Sequence, residues 1–323
     1  MKGGSSVLKR ATLREVAQKA GTSMMTVSRV INSRDSVSDE TRERVLRAIK
    51  ELGYEPHKDA RILRGGKAGR IGIVVSDIRN PFYSQVVGDL EDLAEENNMA
   101  VIVSDTSKRL DQEKKAIKSL LDIKVDAIVV APEGYESAHL IEVISSGTEV
   151  VSFGVHFENE EISEVSIDEI SGASKAGAYL RSAGISDAVM IMGNPRKFTT
   201  RGRMKGFRKG FGEVPEDKIL YCEVDWKASC RRVMELHKLP EAFFCYNDMM
   251  ALGVMKALEE RGVKLGSEVR VIGYDDVYMA EIAGITTLRI PIRSMVEEAF
   301  KTILGEDVRK IVFTPEFIQR KSA

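Results

Sequence analysis

The 323-residue chain has no uninterrupted apolar run of about 18 residues, the length a helix needs to cross a bilayer, so no membrane partner is expected. Its first residues, Met1 to Arg10, lack the apolar core of a secretion signal. Cysteine is rare. Cys222, Cys230 and Cys245 show no metal-ligand spacing and form an odd set, which fits reduced thiols in a cytoplasmic protein. Four histidines (His57, His139, His156, His237) are scattered, and none stands beside a Cys or Asp in a catalytic motif. A nucleophile elbow, a dinucleotide fingerprint, a G-x-x-x-x-G-K-[ST] loop and an H-E-x-x-H pair are all missing. These absences argue against an enzyme, and nothing in the pattern asks for a cofactor or a metal.

What is present is an uneven charge. The formal net charge is only −1, yet residues 1–70 carry 16 Lys and Arg against 8 Asp and Glu, while the remaining chain carries 32 against 41. A basic head on an acidic body is the footprint expected of a module that meets phosphate. The head is also patterned to fold. Thr12-Leu13-Arg14-Glu15 reads as a capping box, followed by Leu13, Val16, Ala17 and Ala20 at helical spacing and by Gly21 as a stop. Ser23 can cap a second helix that turns Val27, Val30 and Ile31 inward. Ser38 precedes a third, whose Val45, Ile49 and Leu52 form one stripe ended by Gly53. Ala17, Gly21 and Val27 sit where a helix-turn-helix needs a small residue, a tight turn and an apolar anchor.

From residue 70 onward, short apolar runs alternate with helical stretches. IGIVVS (71–76), AVIVS (100–104), DAIVVA (126–131) and EVVSF (149–153) read as buried parallel strands, and AVMIMG (188–193), ILYCEV (219–224), EAFFCY (241–246) and VRVIGY (269–274) as a second series. The fold class is therefore α/β. A three-helix head (10–56) and a linker (57–69) precede two lobes of parallel sheet (70–323), with a ligand expected where strand C-termini face each other.

Residues 12–70, together with IGIVVSDIRNPFY (71–83), RMKGF (203–207), FCYNDMMALGVMKAL (244–258) and VIGYDD (271–276), resemble the lactose-repressor (LacI/GalR) family over nearly the whole chain. The resemblance implies a type I periplasmic-binding-protein-like body in which the chain crosses between lobes three times. Those crossings are expected near 165–169, 289–292 and 307–311, dividing the body into 70–167 with 292–309 and 168–290 with 310–323.

In such heads the second helix enters the major groove, which brings Met24, Met25, Thr26, Ser28 and Arg29 to the DNA, with Thr12, Ser23, Asn32 and Tyr54 completing the set. Two methionines stand where the family commonly has polar or small residues. They can read thymine methyls or shape, or one of them can pack into the core. PHKDARILR (56–64) matches the hinge segment that becomes helical on DNA. There Leu63 takes the place of the minor-groove wedge, Ala60 permits close approach of paired hinges, and His57 replaces a usual Asn.

For the effector, Arg203 aligns with the family's ligand-bonding arginine and Trp226 with a stacking aromatic, while Asn247 and Asp275 fall at strand ends of the facing lobe. Phe82, Ser76 and Asn80 close the other side. Such groups suit a polyhydroxylated ligand, a sugar or sugar derivative. Other readings stay open: Asn247 and Asp275 as helix caps, Arg203 in a surface salt bridge, Trp226 as core filling, and Lys197 and Arg201 as solvated. Gly154 and Ile290 replace polar residues common in relatives. The expected partners are a pseudo-palindromic double-stranded operator, a small effector and a second copy of the chain. No leucine-heptad tail follows KIVFTPEFI, which favours a dimer over a coiled-coil tetramer. A solute-binding transport protein, or a sensor whose head contacts protein rather than DNA, are the alternatives.

Overall fold

The computed structural model describes residues 11–31, 37–54, 68–134, 136–305 and 310–323, and divides into a head (1–68) and a body (69–323). In the head, α1 (Leu13–Lys19), α2 (Met24–Ile31) and α3 (Asp39–Leu52) close on a core of Val16, Ala17, Val27, Val30, Val45, Ala48 and Tyr54. The capping box forms: the Glu15 amide donates to Thr12 Oγ1 at 3.3 Å, and Glu15 Oε2 accepts from the Thr12 amide at 2.7 Å. Gly53 (φ 57°) ends α3 in the left-handed conformation, so that the Tyr54 amide returns to the Ile49 carbonyl at 3.0 Å. That reversal tucks Tyr54 under the helices.

The body opens with β1 (Arg70–Val75), α4 (Pro81–Glu96), β2 (Ala100–Asp105), α5 (Leu110–Asp122), β3 (Ala127–Val130), α6 (Ala138–Ser145), β4 (Glu149–Gly154) and β5 (Ser163–Ile167). It continues with α7 (Glu169–Ser182), β6 (Ala188–Met192), α8 (Phe198–Phe211), β7 (Ile219–Tyr221), α9 (Trp226–Met234), β8 (Ala242–Cys245), α10 (Asp248–Glu260), β9 (Arg270–Ile272), α11 (Tyr278–Ala283) and β10 (Thr287–Arg289). The last elements are α12 (Ile292–Leu304), β11 (Lys310–Phe313) and β12 (Glu316–Ile318). A parallel sheet in the order β11-β5-β4-β3-β1-β2 forms the first lobe, and a second in the order β7-β6-β8-β9 forms the other. β10 and β12 pair antiparallel.

Two boundaries are sharper than the sequence allows. The segment 310–323 does not belong wholly to the second lobe, because β11 pairs with β5 from Lys310–Glu164 to Phe313–Ile167. The apolar KIVF run covers what would be an open edge of the first sheet, and Pro315, which has no amide to donate, follows its end. The third crossing therefore lies at Thr314 and Pro315 rather than at 307–311, of which 307–309 fall outside the described residues. The other two run through Asp168 and through Ile290 and Pro291.

Within the second lobe, α7 and α8 pack backbone to backbone. A Cβ on Gly206 would lie 2.3 Å from the Ile170 carbonyl oxygen, and one on Gly210 would lie 2.0 Å from that of Ser174. Only glycine admits this approach, and it carries the first turns of both helices to the cleft together.

Candidate functional site

The N-terminal end of α2 is exposed and mixes hydroxyls with thioethers. Ser23 Oγ accepts from the Thr26 amide at 3.1 Å and lies 2.9 Å from Thr26 Oγ1, so both hydroxyls serve the cap. Met24 and Met25 are 52% and 65% exposed, which removes the core-packing alternative for either, since Val27 and Val30 fill that role instead. Both thioethers therefore stand in water at the start of the helix. Arg29 and Thr12 are exposed on the same unit, and Ser28 is half-buried. Tyr54, expected at the DNA, contributes its ring to the head core at 7% exposure, where the Gly53 cap turns it inward. Asn32, His57, Ala60 and Leu63 lie outside the described residues.

The body carries a cleft between its lobes at the C-terminal ends of the strands. Its inner part is bordered by Asn80, Phe82, Arg203 and Asp275, and a wider part by Ser76, Asn80, Trp226 and Asn247. The seven sequence-predicted residues thus line one cleft, and Tyr83, Lys197 and Tyr246 border both parts.

Their environments differ. Asn247 caps α10, its Oδ1 accepting from the Met250 amide at 3.0 Å, and Asn80 caps α4 through the Phe82 amide at 3.1 Å. The capping alternative is thus realised at Asn247. At Asp275 it is not: this residue is held at φ 105°, a conformation that L side chains rarely adopt. Its amide donates to the Leu288 carbonyl at 2.9 Å, and its own carbonyl accepts from Ile290 at 3.1 Å. The pinned backbone aims the carboxylate at Arg203. Trp226, 42% exposed at the start of α9, is cleft wall rather than core filling.

Arg203 is buried, at 4% exposure, and is not a surface salt-bridge partner. Its Nε and Nη2 donate to Glu169 at 2.9 and 3.1 Å, Nη1 donates to the Tyr246 carbonyl at 2.5 Å, and Nη1 lies 3.5 Å from Asp275 Oδ1. The guanidinium also sits 3.7 Å over the Tyr274 ring. Burial works against its charge, but the carboxylates of Glu169 and Asp275 hold its pKa well above the ordinary value. Burial likewise drives the Asp275 carboxyl well above the usual carboxylate range, only partly offset by Arg203 and reinforced by Asp248 and Glu169. Neighbouring Asp248 is raised by burial to about 7, with Thr287 Oγ1 donating to it at 2.6 Å and the Val277 amide at 3.0 Å. A carboxyl that holds its proton can donate a hydrogen bond as well as accept one.

Four contributors escape sequence reading: Glu169, Tyr246, Tyr83 and Glu133. Lys197, read from the sequence as solvated, is only 25% exposed along its side chain and pairs across the cleft with Glu133, whose carboxylate also accepts from Thr106 Oγ1 at 2.5 Å. Gly154 and Ile290 bring no polar side chain; the first borders the cleft and the second is buried in the core.

Comparison with known proteins settles the family. The family model described as bacterial regulatory proteins of the lacI family matches residues 12–57, and that described as periplasmic binding proteins and sugar binding domain of the LacI family matches 68–314. The chain belongs to the LacI family of bacterial regulatory proteins. The HTH-type transcriptional regulator DegA of Bacillus subtilis (strain 168) is 31% identical, over 97% of this chain and 98% of its own. Among solved structures, the lac repressor dimer bound to operator and the anti-inducer ONPF matches with a TM-score of 0.86 and 25% identity, covering 97% of this chain and 99% of the other. A complex of the transcriptional regulator CelR with cellobiose matches at 0.69 and 26%, covering 97% and 100%. This LacI-family chain is a DNA-binding transcriptional regulator with a ligand-binding domain, not an enzyme. No helix among its described residues is long and apolar enough to cross a membrane.

Proposed function

We propose that this LacI-family chain is a cytoplasmic repressor that binds a pseudo-palindromic operator as a homodimer and is controlled by a sugar or sugar derivative held between its lobes. The observation that carries the reading is the cleft itself. Arg203, Glu169, Asp275 and the Tyr246 carbonyl gather at strand ends of one lobe, facing Asn80 and Phe82 of the other, a donor and acceptor set that matches adjacent hydroxyls. The dimer and operator follow the lac repressor complex, and the sugar follows CelR with cellobiose and the sugar-binding description of the matched body.

DNA reading falls to Met24, Met25, Thr26, Ser28 and Arg29, with Leu63 as hinge wedge. Control is a population shift. The effector changes operator affinity only by as much as it prefers one lobe arrangement over the other.

The test is a thermal-shift screen of the full chain against sugars, sugar acids and nucleobases, followed by operator binding with and without each hit. A sugar that raises the melting temperature and changes operator affinity is the expected result. Protection by nucleobases alone would reject the sugar, and an operator affinity indifferent to every hit would reject the control.

A further inference from the structure

The first sheet ends on β11, and that end is open. Among the described residues no strand pairs with the outer side of β11. The Phe313 carbonyl accepts from the Asp168 amide at 2.8 Å, so Phe313 addresses β5. Alternation along the strand then turns the amide and carbonyl of Val312 away from the sheet. The Val312 side chain is 60% exposed. Edges of this kind are ordinarily blunted by a charge, a proline or a covering element. Here Lys310 is engaged with the Phe157 carbonyl and Glu160, both at 3.1 Å, and Pro315 stands beyond the strand; neither guards Val312 itself.

Beside that edge runs a groove to which both lobes contribute. Val312 and Ile167 border it from the first lobe, and Ile170, Phe198, Arg201 and Lys205 from the second. The last three belong to α8, whose 14 residues include five cations and no acid. Arg203 is taken up by Glu169 and Arg208 by Glu216. Arg201, Lys205 and Lys209 are spaced by four and lie exposed along one face of the helix. Neither lysine makes an ion pair among the described residues. The carboxylates that border the groove are already engaged, Asp168 by the Ser171 amide at 2.9 Å and Glu169 by Arg203. An exposed helix ordinarily offsets such a row with acids four residues away, and this one carries none of its own.

Edge and row fit one kind of partner. The outward amide and carbonyl of Val312 ask for an acceptor and a donor, which a polypeptide strand supplies and a phosphate, with acceptors only, does not. The basic row asks for acidic side chains. We infer that this groove docks an extended acidic peptide of a partner protein, which adds to the six-stranded sheet beside β11 and sets its carboxylates against Arg201, Lys205 and Lys209. The first ten residues of this chain do not suit the role, since they carry Lys2, Lys9 and Arg10 and no acid. Ile167 and Phe198 border both the groove and the inner cleft, and a strand held by both lobes favours one lobe arrangement over the other. The inference stands apart from what the cleft binds.

The test uses the full-length protein and fluorescein-labelled eight-residue peptides in which Glu alternates with Val, Leu or Phe, read by fluorescence anisotropy. At least one should bind saturably, and more weakly as salt rises. Its counterpart with Lys in place of Glu should bind about tenfold more weakly or worse. N-methylation gives the signature of strand addition: methylating every second amide should abolish binding in one register and spare it in the other, because only alternate amides face β11. Lys205→Glu combined with Lys209→Glu should weaken binding about tenfold or more. Val312→Pro should do the same by deleting the outward amide, at an edge position where proline is tolerated.

Failure of every acidic peptide to bind overturns the inference, as does binding indifferent to the double lysine variant, whose exposed sites leave the fold intact. Equal binding of the two N-methyl registers would reduce the contact to charge alone and overturn the added strand. Pyrophosphate displacing the peptide at comparable concentration would show a simple anion site instead. Self-association that the double lysine variant abolishes would give the groove to a second copy and overturn the peptide.

Discussion

Arg203 should be the electrostatic keystone of the second lobe before any ligand arrives. Its side chain is 5% exposed and that of Glu169 is 1% exposed, so neither charge has water to fall back on. Arg203→Met deletes the cation while keeping most of the apolar volume. It leaves Glu169 without its two-pronged partner and Asp275 without the one group that favours its charged form. Breaking a buried pair in this way costs about 3–5 kcal/mol. Part of the cost returns if the orphaned carboxylate is also removed. The double variant Arg203→Met with Glu169→Gln should therefore be less destabilised than the two single variants predict together, by about 2 kcal/mol. The assay is urea unfolding of the full chain followed by tryptophan fluorescence. Trp226 is the only tryptophan and lies in the body, so the signal is blind to the head. With a slope of about 3 kcal/mol/M, the single arginine variant should lose roughly 1 M or more in midpoint. A loss under about 1 kcal/mol, or effects that simply add, would refute the keystone. The experiment also guards the ligand work, since an Arg203 variant that fails to respond to effector is informative only once its folding has been measured.

Acidity supplies the next prediction. The folded-state value of Asp248 is raised to about 7 by burial, so between about pH 4 and pH 7 the native chain keeps a proton that the unfolded chain releases. Stability contributed in acid is lost as pH rises through 7, by at most about 4 kcal/mol, and Asp275 acts in the same direction. The melting temperature should fall from pH 5.5 to pH 8, and Asp248→Asn, which can still accept from the Val277 amide and meet Thr287, should flatten that fall; an unchanged slope would place the titration elsewhere. Gly206→Ala should cost about 2 kcal/mol or more by urea unfolding, because the new methyl meets the Ile170 carbonyl oxygen and separates α7 from α8; a cost below about 0.5 kcal/mol would show that the helices can part freely. In the head, Met24→Ala or Met25→Ala should weaken operator binding by about 1 kcal/mol without changing its salt dependence. Arg29→Gln should lower the salt slope by about 1 if it contacts phosphate. Equal losses on mixed-sequence DNA would deny the methionines a reading role.

What the sequence made legible was whatever is decided locally. A capping box, a glycine stop or an all-apolar strand needs only its own neighbours, so α1, β1 and β3 could be placed before any coordinates existed. The strand β5 could not. Its SEVSI run places Ser163, Glu164 and Ser166 in full burial, which reads as a loop until Glu164 is seen to accept from the Phe157 amide at 2.8 Å and to meet His156 at 2.6 Å. A polar residue can lie inside a sheet when its partner is supplied from elsewhere, and that supply leaves no periodic trace. The site divides in the same way. Arg203 and Asp275 sit in short motifs, whereas Glu169 reaches Arg203 across 34 positions and Glu133 reaches Lys197 across 64. The two missed carboxylates are the second member of each pair, and both pairs border the cleft. Glu169 pairs with a buried arginine within its own lobe, whose separation strands charges away from water, so that contact resists change. Glu133 pairs with a part-exposed lysine of the opposite lobe, while its own side chain is only 2% exposed, so this contact too keeps a carboxylate away from water. Both pairs border the same cleft, and it is the Glu133–Lys197 pair that spans the lobes. The Glu133–Lys197 contact therefore ties one lobe to the other, while Arg203 and Glu169 hold each other within the second lobe at the wall of the same cleft.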